Sequence, residues 1–179
     1  MENTSLLRLE PAGKKDKKYL KALYKRAFPR AERKPFYMFG KKSVFLYIIK
    51  YDGAPAGLMA GCEFKDMLFI DYFAIDESMR GKGLGGQALS LLFSRFPGRR
   101  IFLEIEDPEI PSDNKEQRLR RRTFYLKNGF EVSDLKILLC GVQMLILCAG
   151  GNVNFNEYVS VYEKAYGRFF TRLLHLEKV

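Results

Sequence analysis

The stretch Arg80-Gly81-Lys82-Gly83-Leu84-Gly85-Gly86 combines glycine with positive charge directly after an apolar run and at the start of an amphipathic one. Glycines let the backbone turn sharply and leave its N–H groups uncovered. Free N–H groups at a helix start, helped by the helix dipole, attract phosphate oxygens. Arg80 and Lys82 add charge, so the stretch reads as a pyrophosphate cradle. A tight strand-to-helix turn with no ligand is the competing reading. A Walker loop is excluded, because no Ser or Thr follows a Gly-Lys pair. Gly81, Gly83 and Gly86 do match the dinucleotide spacing Gly-x-Gly-x-x-Gly. That fingerprint belongs to the first turn of a parallel sheet, however, and here consecutive antiparallel strands come first.

A second group of residues could move protons. Glu104 and Glu106 lie two apart on an otherwise apolar strand, so they share a face. Asp71 sits inside the apolar strand next door. Partial burial is what makes a carboxylate a base strong enough to take a proton from an amine. Each of the three also reads as a structural hydrogen-bond acceptor. Arg118, Arg121 and Arg122 share a helical face with Tyr125 by spacing. They read either as partners for phosphates or an acidic substrate, or as a solvated basic face.

Other chemistries lack their parts. Cys62, Cys140 and Cys148 each lie in an apolar run, which predicts buried free thiols of a reducing compartment. No Cys-x-x-Cys pair exists and His175 is the only histidine, so no metal site and no histidine-based triad is expected.

The elements that must position these residues follow from periodicity. Leu6, Leu7 and Leu9 make a first strand closed by Pro11. A helix runs from Asp16, its candidate cap, to Phe28, and Pro29 stops it. Residues 29–42 mix basic residues, aromatics and prolines, and read as a mobile loop or short helix, either a solvated connector with some core aromatics or a substrate lid. Val44–Tyr51, Ala56–Phe64 and Met67–Ile75 form an antiparallel meander through the turns at Asp52-Gly53 and Lys65-Asp66. The helix Leu84–Phe96 and the strand Ile101–Glu106 complete a crossover between parallel strands. A helix Glu116–Asn128 follows, capped by Asp113 or Asn114 and ended by Gly129. Leu135–Cys140 and Val142–Cys148 are the last strands. Tyr158, Val161, Tyr162, Ala165 and Phe169 place a C-terminal helix within residues 154–177.

With 179 residues, the chain has room for one domain with a real core. Hydrophobic residues make up 47%, which excludes a disordered chain. The formal charge of +10 attracts polyanions without choosing among them. Met1–Ser5 has no signal-peptide pattern, and no apolar run is long enough to span a bilayer. These features predict a cytoplasmic protein with no membrane partner.

Two motifs in order carry a family resemblance. Arg80-x-x-Gly83-x-Gly85 resembles the acyl-CoA pyrophosphate motif of the GCN5-related N-acetyltransferases (GNAT). Phe73-Ala74-Ile75-Asp76 matches the strand end and acidic turn before it. Phe124-Tyr125-Leu126-Lys127-Asn128-Gly129-Phe130 resembles the family's second hallmark, an aromatic pair near a helix end followed by Gly-Phe. Element order agrees over about residues 4–149.

The resemblance implies an α/β fold with a mixed, mostly antiparallel central sheet flanked by helices. It implies one N-acetyltransferase domain over 1–179. An acetyl-CoA site is implied between the strands Met67–Ile75 and Ile101–Glu106, which splay apart in the family. The backbone of Phe73, Ala74 and Ile75 would hold the pantetheine arm. Arg80, Gly81, Lys82, Gly83, Leu84, Gly85 and Gly86 would hold the pyrophosphate. Tyr125 takes the place of the general acid, or packs against CoA without giving up a proton. Glu106 lies nearest the strand end where the acetyl group would arrive, so it is favoured as base over Glu104 and then Asp71. Arg118 departs from the family, where many members carry Asn in contact with the cofactor.

The expected reaction is acetyl transfer to a primary amine by direct attack, on a small molecule or peptide, by a monomer or homodimer. The alternative is a non-catalytic module on the same fold that senses acyl-CoA or binds nucleic acid. Against nucleic acid, no aromatics interleave with Arg118–Arg122 as a base-stacking platform requires.

Overall fold

The computed structural model describes residues 6–179, so the reading of Met1–Ser5 falls outside the described residues. The strands are β1 (Leu7–Pro11), β2 (Val44–Tyr51), β3 (Ala54–Phe64), β4 (Met67–Ile75), β5 (Arg100–Glu106), β6 (Glu131–Leu139), β7 (Val142–Ala149) and β8 (Glu177–Lys178). The helices are α1 (Lys17–Ala27), α2 (Leu84–Arg95), α3 (Lys115–Lys127), α4 (Phe155–Tyr166) and α5 (Arg168–Leu173). The strands hydrogen-bond in the order β1-β2-β3-β4-β5-β7-β6-β8, a mixed sheet flanked by helices. The β4–β5 pairing is parallel, as the strand–helix–strand reading requires. The chain divides into two compact units, Met1–Gly61 with Asp71–Pro97 and Cys62–Ile70 with Gly98–Val179.

In the first unit, β1 pairs antiparallel with β2, and α2 is tied to β1 by Arg95, whose Nη1 donates to the Leu9 carbonyl at 3.1 Å. α1 buries Leu20, Leu23 and Tyr24 at its three- and four-residue spacing, each contributing roughly 1.5–3 kcal/mol. Asp16 stands at the N-cap position of this helix, as expected, but its side chain makes no capping bond to it. It closes a preceding 3₁₀ turn, where its Oδ2 accepts from the Gly13 N–H at 2.8 Å.

Residues 29–42 follow the short-helix reading rather than the loop. They form two short 3₁₀ turns, Arg30–Glu32 and Phe36–Gly40. Tyr24 and Tyr72 tie the segment down. The Tyr24 hydroxyl donates to the Lys34 carbonyl, and the Tyr72 hydroxyl donates to the Glu32 carbonyl at 2.7 Å while accepting from the Lys34 N–H. Phe39 packs edge-on to both rings. The Lys34 ammonium reaches both Asp71 oxygens at 2.8 and 2.9 Å in a buried pair. Breaking one side of such a pair costs about 3–5 kcal/mol, because the other charge is left buried.

In the second unit, β5 pairs antiparallel with β7, β7 with β6 and β6 with β8. Phe69 and Phe102 stack at 5.0 Å, and α4 lays Tyr158 and Tyr162 against them. Asn154 and Glu157 close a capping box at the start of α4. The Arg100 guanidinium bridges Asp66 and Glu157, joining the β3–β4 turn to that helix start.

Three expectations change here. The C-terminal helix is two helices, because Gly167 takes φ 92 and turns the chain between α4 and α5. The turn carries Phe169 out to 79% exposure, off the buried face. β6 starts at Glu131 rather than Leu135, with a bulge between Val132 and Lys136. Cys140 is exposed, not buried, because it sits at φ 50 in the β6–β7 turn, whereas Cys62 and Cys148 are buried as expected.

Candidate active site

The first unit carries the glycine-rich turn. After β4, Asp76 caps a 3₁₀ turn over Glu77–Met79 by accepting from the Ser78 N–H and hydroxyl. Its other oxygen accepts from the Tyr19 hydroxyl at 3.2 Å and Arg26 at 2.9 Å, so α1 is anchored at this corner. Burial alone would raise the Asp76 carboxyl, but these donors hold it below the usual carboxylate range.

Gly81 and Gly83 then adopt φ 79 and φ 72, a region that side-chain-bearing residues rarely enter. Gly83 is the cap of α2, and its carbonyl accepts the first helical bond, from Gln87 at 3.2 Å. No described residue accepts from the N–H groups of 81–86. A run of free donors at a helix start is an anion cradle in physical terms. Nothing stands within 4 Å of a Cβ built on Gly81. Arg80 is exposed, its Nε 3.4 Å from the Ile75 carbonyl, and the Lys82 ammonium lies 5.7 Å from the Tyr51 ring.

Upstream, Phe73, Ala74 and Ile75 are half-buried at the end of β4. The parallel ladder with β5 covers only Met67–Ile70 against Arg100–Leu103, so these three residues lie beyond it. On the β3 side the approach is close: a Cβ on Gly57 would stand 2.5 Å from the Ala74 carbonyl oxygen.

The second unit carries the carboxylates and Tyr125. Glu106, half-buried at the end of β5, is gripped by α3. Arg118 Nη2 lies 2.7 Å from its Oε1, and its Oε2 has Asn114 Nδ2 at 3.4 Å and Arg121 at 3.9 Å. Glu104 points to α4, where the Tyr158 and Tyr162 hydroxyls donate to its two oxygens at 2.5 and 2.6 Å. That double bond set is a structural tie between β5 and α4. The two glutamates therefore share a strand face but face different helices.

Tyr125 ends α3 in a Schellman arrangement. The Phe130 N–H donates to the Tyr125 carbonyl at 3.2 Å and the Gly129 N–H to the Leu126 carbonyl at 3.3 Å, with Gly129 at φ 87. The Tyr125 and Phe130 rings meet edge-on at 5.6 Å. This is the physical content of the aromatic–Gly–Phe pattern. The Tyr125 hydroxyl makes no hydrogen bond to a described residue. Burial pushes the phenol up to about 12, only partly offset by Arg121, so it stays protonated across the physiological range.

The sequence profile of the Acetyltransferase (GNAT) family matches residues 15–130 of the 179. The chain belongs to the GNAT acetyltransferase family. YjbC of Bacillus subtilis (strain 168), named as an acetyltransferase, is 33% identical over 69 residues, which is 38% of this chain and 33% of YjbC. The match thus spans about a third of that relative's length. A Bacteroides thetaiotaomicron structure described as a GNAT acetyltransferase aligns with TM-score 0.75 at 21% identity, covering 92% of this chain and 98% of that one. Arabidopsis thaliana Naa50, in complex with the bisubstrate analogue CoA-Ac-MVNAL, aligns with TM-score 0.58 at 19% identity, covering 79% and 97%. At these identities the structural likenesses carry the GNAT fold.

Two groups escaped the sequence reading. Asp107, directly after β5, is 1% exposed and accepts from Lys136 at 3.1 Å, Gln143 at 2.9 Å and the Glu109 N–H at 3.0 Å. Its position after an apolar strand resembled a loop start, and its partners lie far along the chain. Arg118, read as a ligand contact or a solvated cation, instead bridges the Glu106 carboxylate and the Asp107 carbonyl, the latter at 3.3 Å.

Proposed function

We propose that the chain transfers an acetyl group from acetyl-CoA to a primary amine by direct attack. The observation that carries this reading is the run of free N–H donors over residues 81–86 at the start of α2, in a chain of this family. Such donors suit the two phosphates of a pyrophosphate, and Arg80 and Lys82 supply neutralising charge. Gly81, Gly83, Gly85 and Gly86 keep that surface clear of side chains. Phe73, Ala74 and Ile75 offer backbone groups to an amide-bearing arm such as pantetheine. Naa50, which shares the fold, holds a CoA-based analogue, and this supports CoA as the carrier.

Tyr125 serves the leaving thiolate. Its protonated hydroxyl has no described partner to give up first, so it is free to donate a hydrogen bond or a proton to sulfur. Glu106 takes the proton from the amine. It is half-buried and oriented by Arg118, which fixes one oxygen and leaves Oε2 with longer contacts. Glu104, held short by two phenols, serves structure, and Asp71 holds Lys34.

The test is a panel of primary amines, from small molecules to peptide N-termini, followed by thiol release from acetyl-CoA. At least one amine should accelerate release with formation of its N-acetyl product. Glu106→Gln should slow that reaction while acetyl-CoA binding is unchanged, with Glu104→Gln as the comparison. Acetyl-CoA binding without transfer to any amine would leave an acyl-CoA sensor and overturn the reading. An effect confined to Glu104→Gln would move the base two residues back.

A further inference from the structure

The net charge of +10 is not spread over the molecule. Residues 14–42 hold twelve of the 31 basic residues and two of the 21 acidic ones, leaving 19 of each sign in the rest of the chain. The whole formal charge therefore belongs to one segment of the first unit: the turn before α1, α1 itself and the pinned stretch that follows. Lys14, Lys15, Lys17, Lys18, Lys21, Lys25, Arg30 and Lys42 are exposed and have no carboxylate partner among the described residues. By contrast, Arg118, Arg120, Arg121 and Arg122 on α3 each face a glutamate. The earlier expectation against nucleic acid weighed that α3 run, and the unpaired charge lies elsewhere.

Geometry makes the segment a surface. On α1, Lys17, Lys18, Lys21 and Lys25 fall within an arc of about 100°, along about 12 Å of helix. Leu20, Leu23 and Tyr24 occupy the other face and are buried. α1 is held in place at both ends, by the Lys34 pin beyond it and by the Tyr19 and Arg26 bonds to Asp76. The cations are thus displayed on a fixed support.

The chemistry of the surface selects its partner. Protein interfaces need an apolar core and are depleted in lysine. Within residues 14–42, Tyr37 is the one exposed large hydrophobic residue among the described residues. An anionic membrane would attract the same charge, but insertion needs an apolar helix face, and that of α1 is already buried. A phosphodiester backbone needs only closely spaced cations, because released counterions supply the affinity. We infer that α1 and its flanks form a phosphate-backbone contact surface for nucleic acid, built from residues other than those of the acetyl-transfer site. Phosphate contacts of this kind position a chain without reading sequence.

The experiment uses the full chain and fluorescence anisotropy with labelled 20-mers of single-stranded RNA, single-stranded DNA and duplex DNA. One variant replaces Lys17, Lys18, Lys21 and Lys25 by Gln. A control replaces Lys127, Lys164, Arg168 and Arg172 by Gln, which removes the same charge elsewhere. All eight side chains are exposed, and thermal melting checks that both variants fold. Four single-strand phosphate contacts predict affinity about 50-fold weaker at about 200 mM than at about 50 mM salt, with a slope near −3. The α1 variant should lose most of that slope and at least about tenfold in affinity, while the control stays within about twofold. The RNA and DNA arms say which source is preferred. Equal loss in both variants would overturn the inference in favour of diffuse net charge. Competition by polyglutamate or by anionic vesicles as effective as RNA, charge for charge, would overturn it in favour of an acidic protein or a membrane.

Discussion

Tyr125 combines a buried ring with an unengaged hydroxyl, and these two properties separate its structural role from its proposed chemical one. The ring and carbonyl hold the α3 end through Phe130, and Tyr125→Phe keeps both. The lost hydroxyl makes no described hydrogen bond, so stability should hold to within about 0.5 kcal/mol. If the phenol serves the leaving thiolate, turnover should fall about 10²–10⁴-fold where chemistry limits the rate. A Phe variant that melts and turns over like the parent would leave Tyr125 a packing residue. Glu106 shows what a strand read alone conceals: it read as one of two carboxylates sharing a face of an apolar strand. Its Arg118 partner lies 12 positions away on a helix, in a pairing that no short-range spacing announces.

At the scale of elements, Asp107 ties the end of β5 to β6 and β7 through Lys136 and Gln143. Burial would raise its carboxyl, but the Glu109 N–H, Lys136 and Gln143 outweigh it and hold the folded-state value below the usual range. A depressed carboxylate adds stability that is present above its unfolded value of about 4 and disappears as pH falls through the folded value. Asp107→Asn should therefore cost about 1–3 kcal/mol at neutral pH in urea unfolding. The two proteins should converge as pH falls through that folded-state value. A constant gap down to acid pH would assign the loss to packing.

The same scale shows why some elements were legible. α2, β2 to β5 and the Gly129 stop follow local period and turn chemistry, and the structure has them. Residues 29–42 were not legible as a fixed segment, because Tyr24, Asp71 and Tyr72 pin them from other elements. The apolar spacing of the C-terminal helix hid the break at Gly167, whose positive φ no periodicity records. Cys140 read as buried because its neighbours are apolar, yet the tight turn after β6 turns it out.

Across the whole molecule, two chemistries occupy the first unit: free backbone donors at 81–86, and unpaired lysines along α1. As proposed, both would attract phosphate, by different means. The α1 surface acts through side-chain charge, so its binding should fade steeply with salt. The 81–86 turn would act through N–H groups in a backbone shape that glycine at 81 and 83 permits, so shape would decide it. Gly83→Val separates the two: it leaves every charge in place and puts a branched side chain at φ 72, where the cap of α2 must sit. Isothermal titration of acetyl-CoA into parent and folded Gly83→Val protein is the most direct measurement of the central claim. The account predicts saturable one-to-one binding to the parent and at least about a tenfold loss in the variant, worth about 1.4 kcal/mol. Undiminished acetyl-CoA affinity in folded Gly83→Val would contradict it and remove the pyrophosphate from residues 80–86.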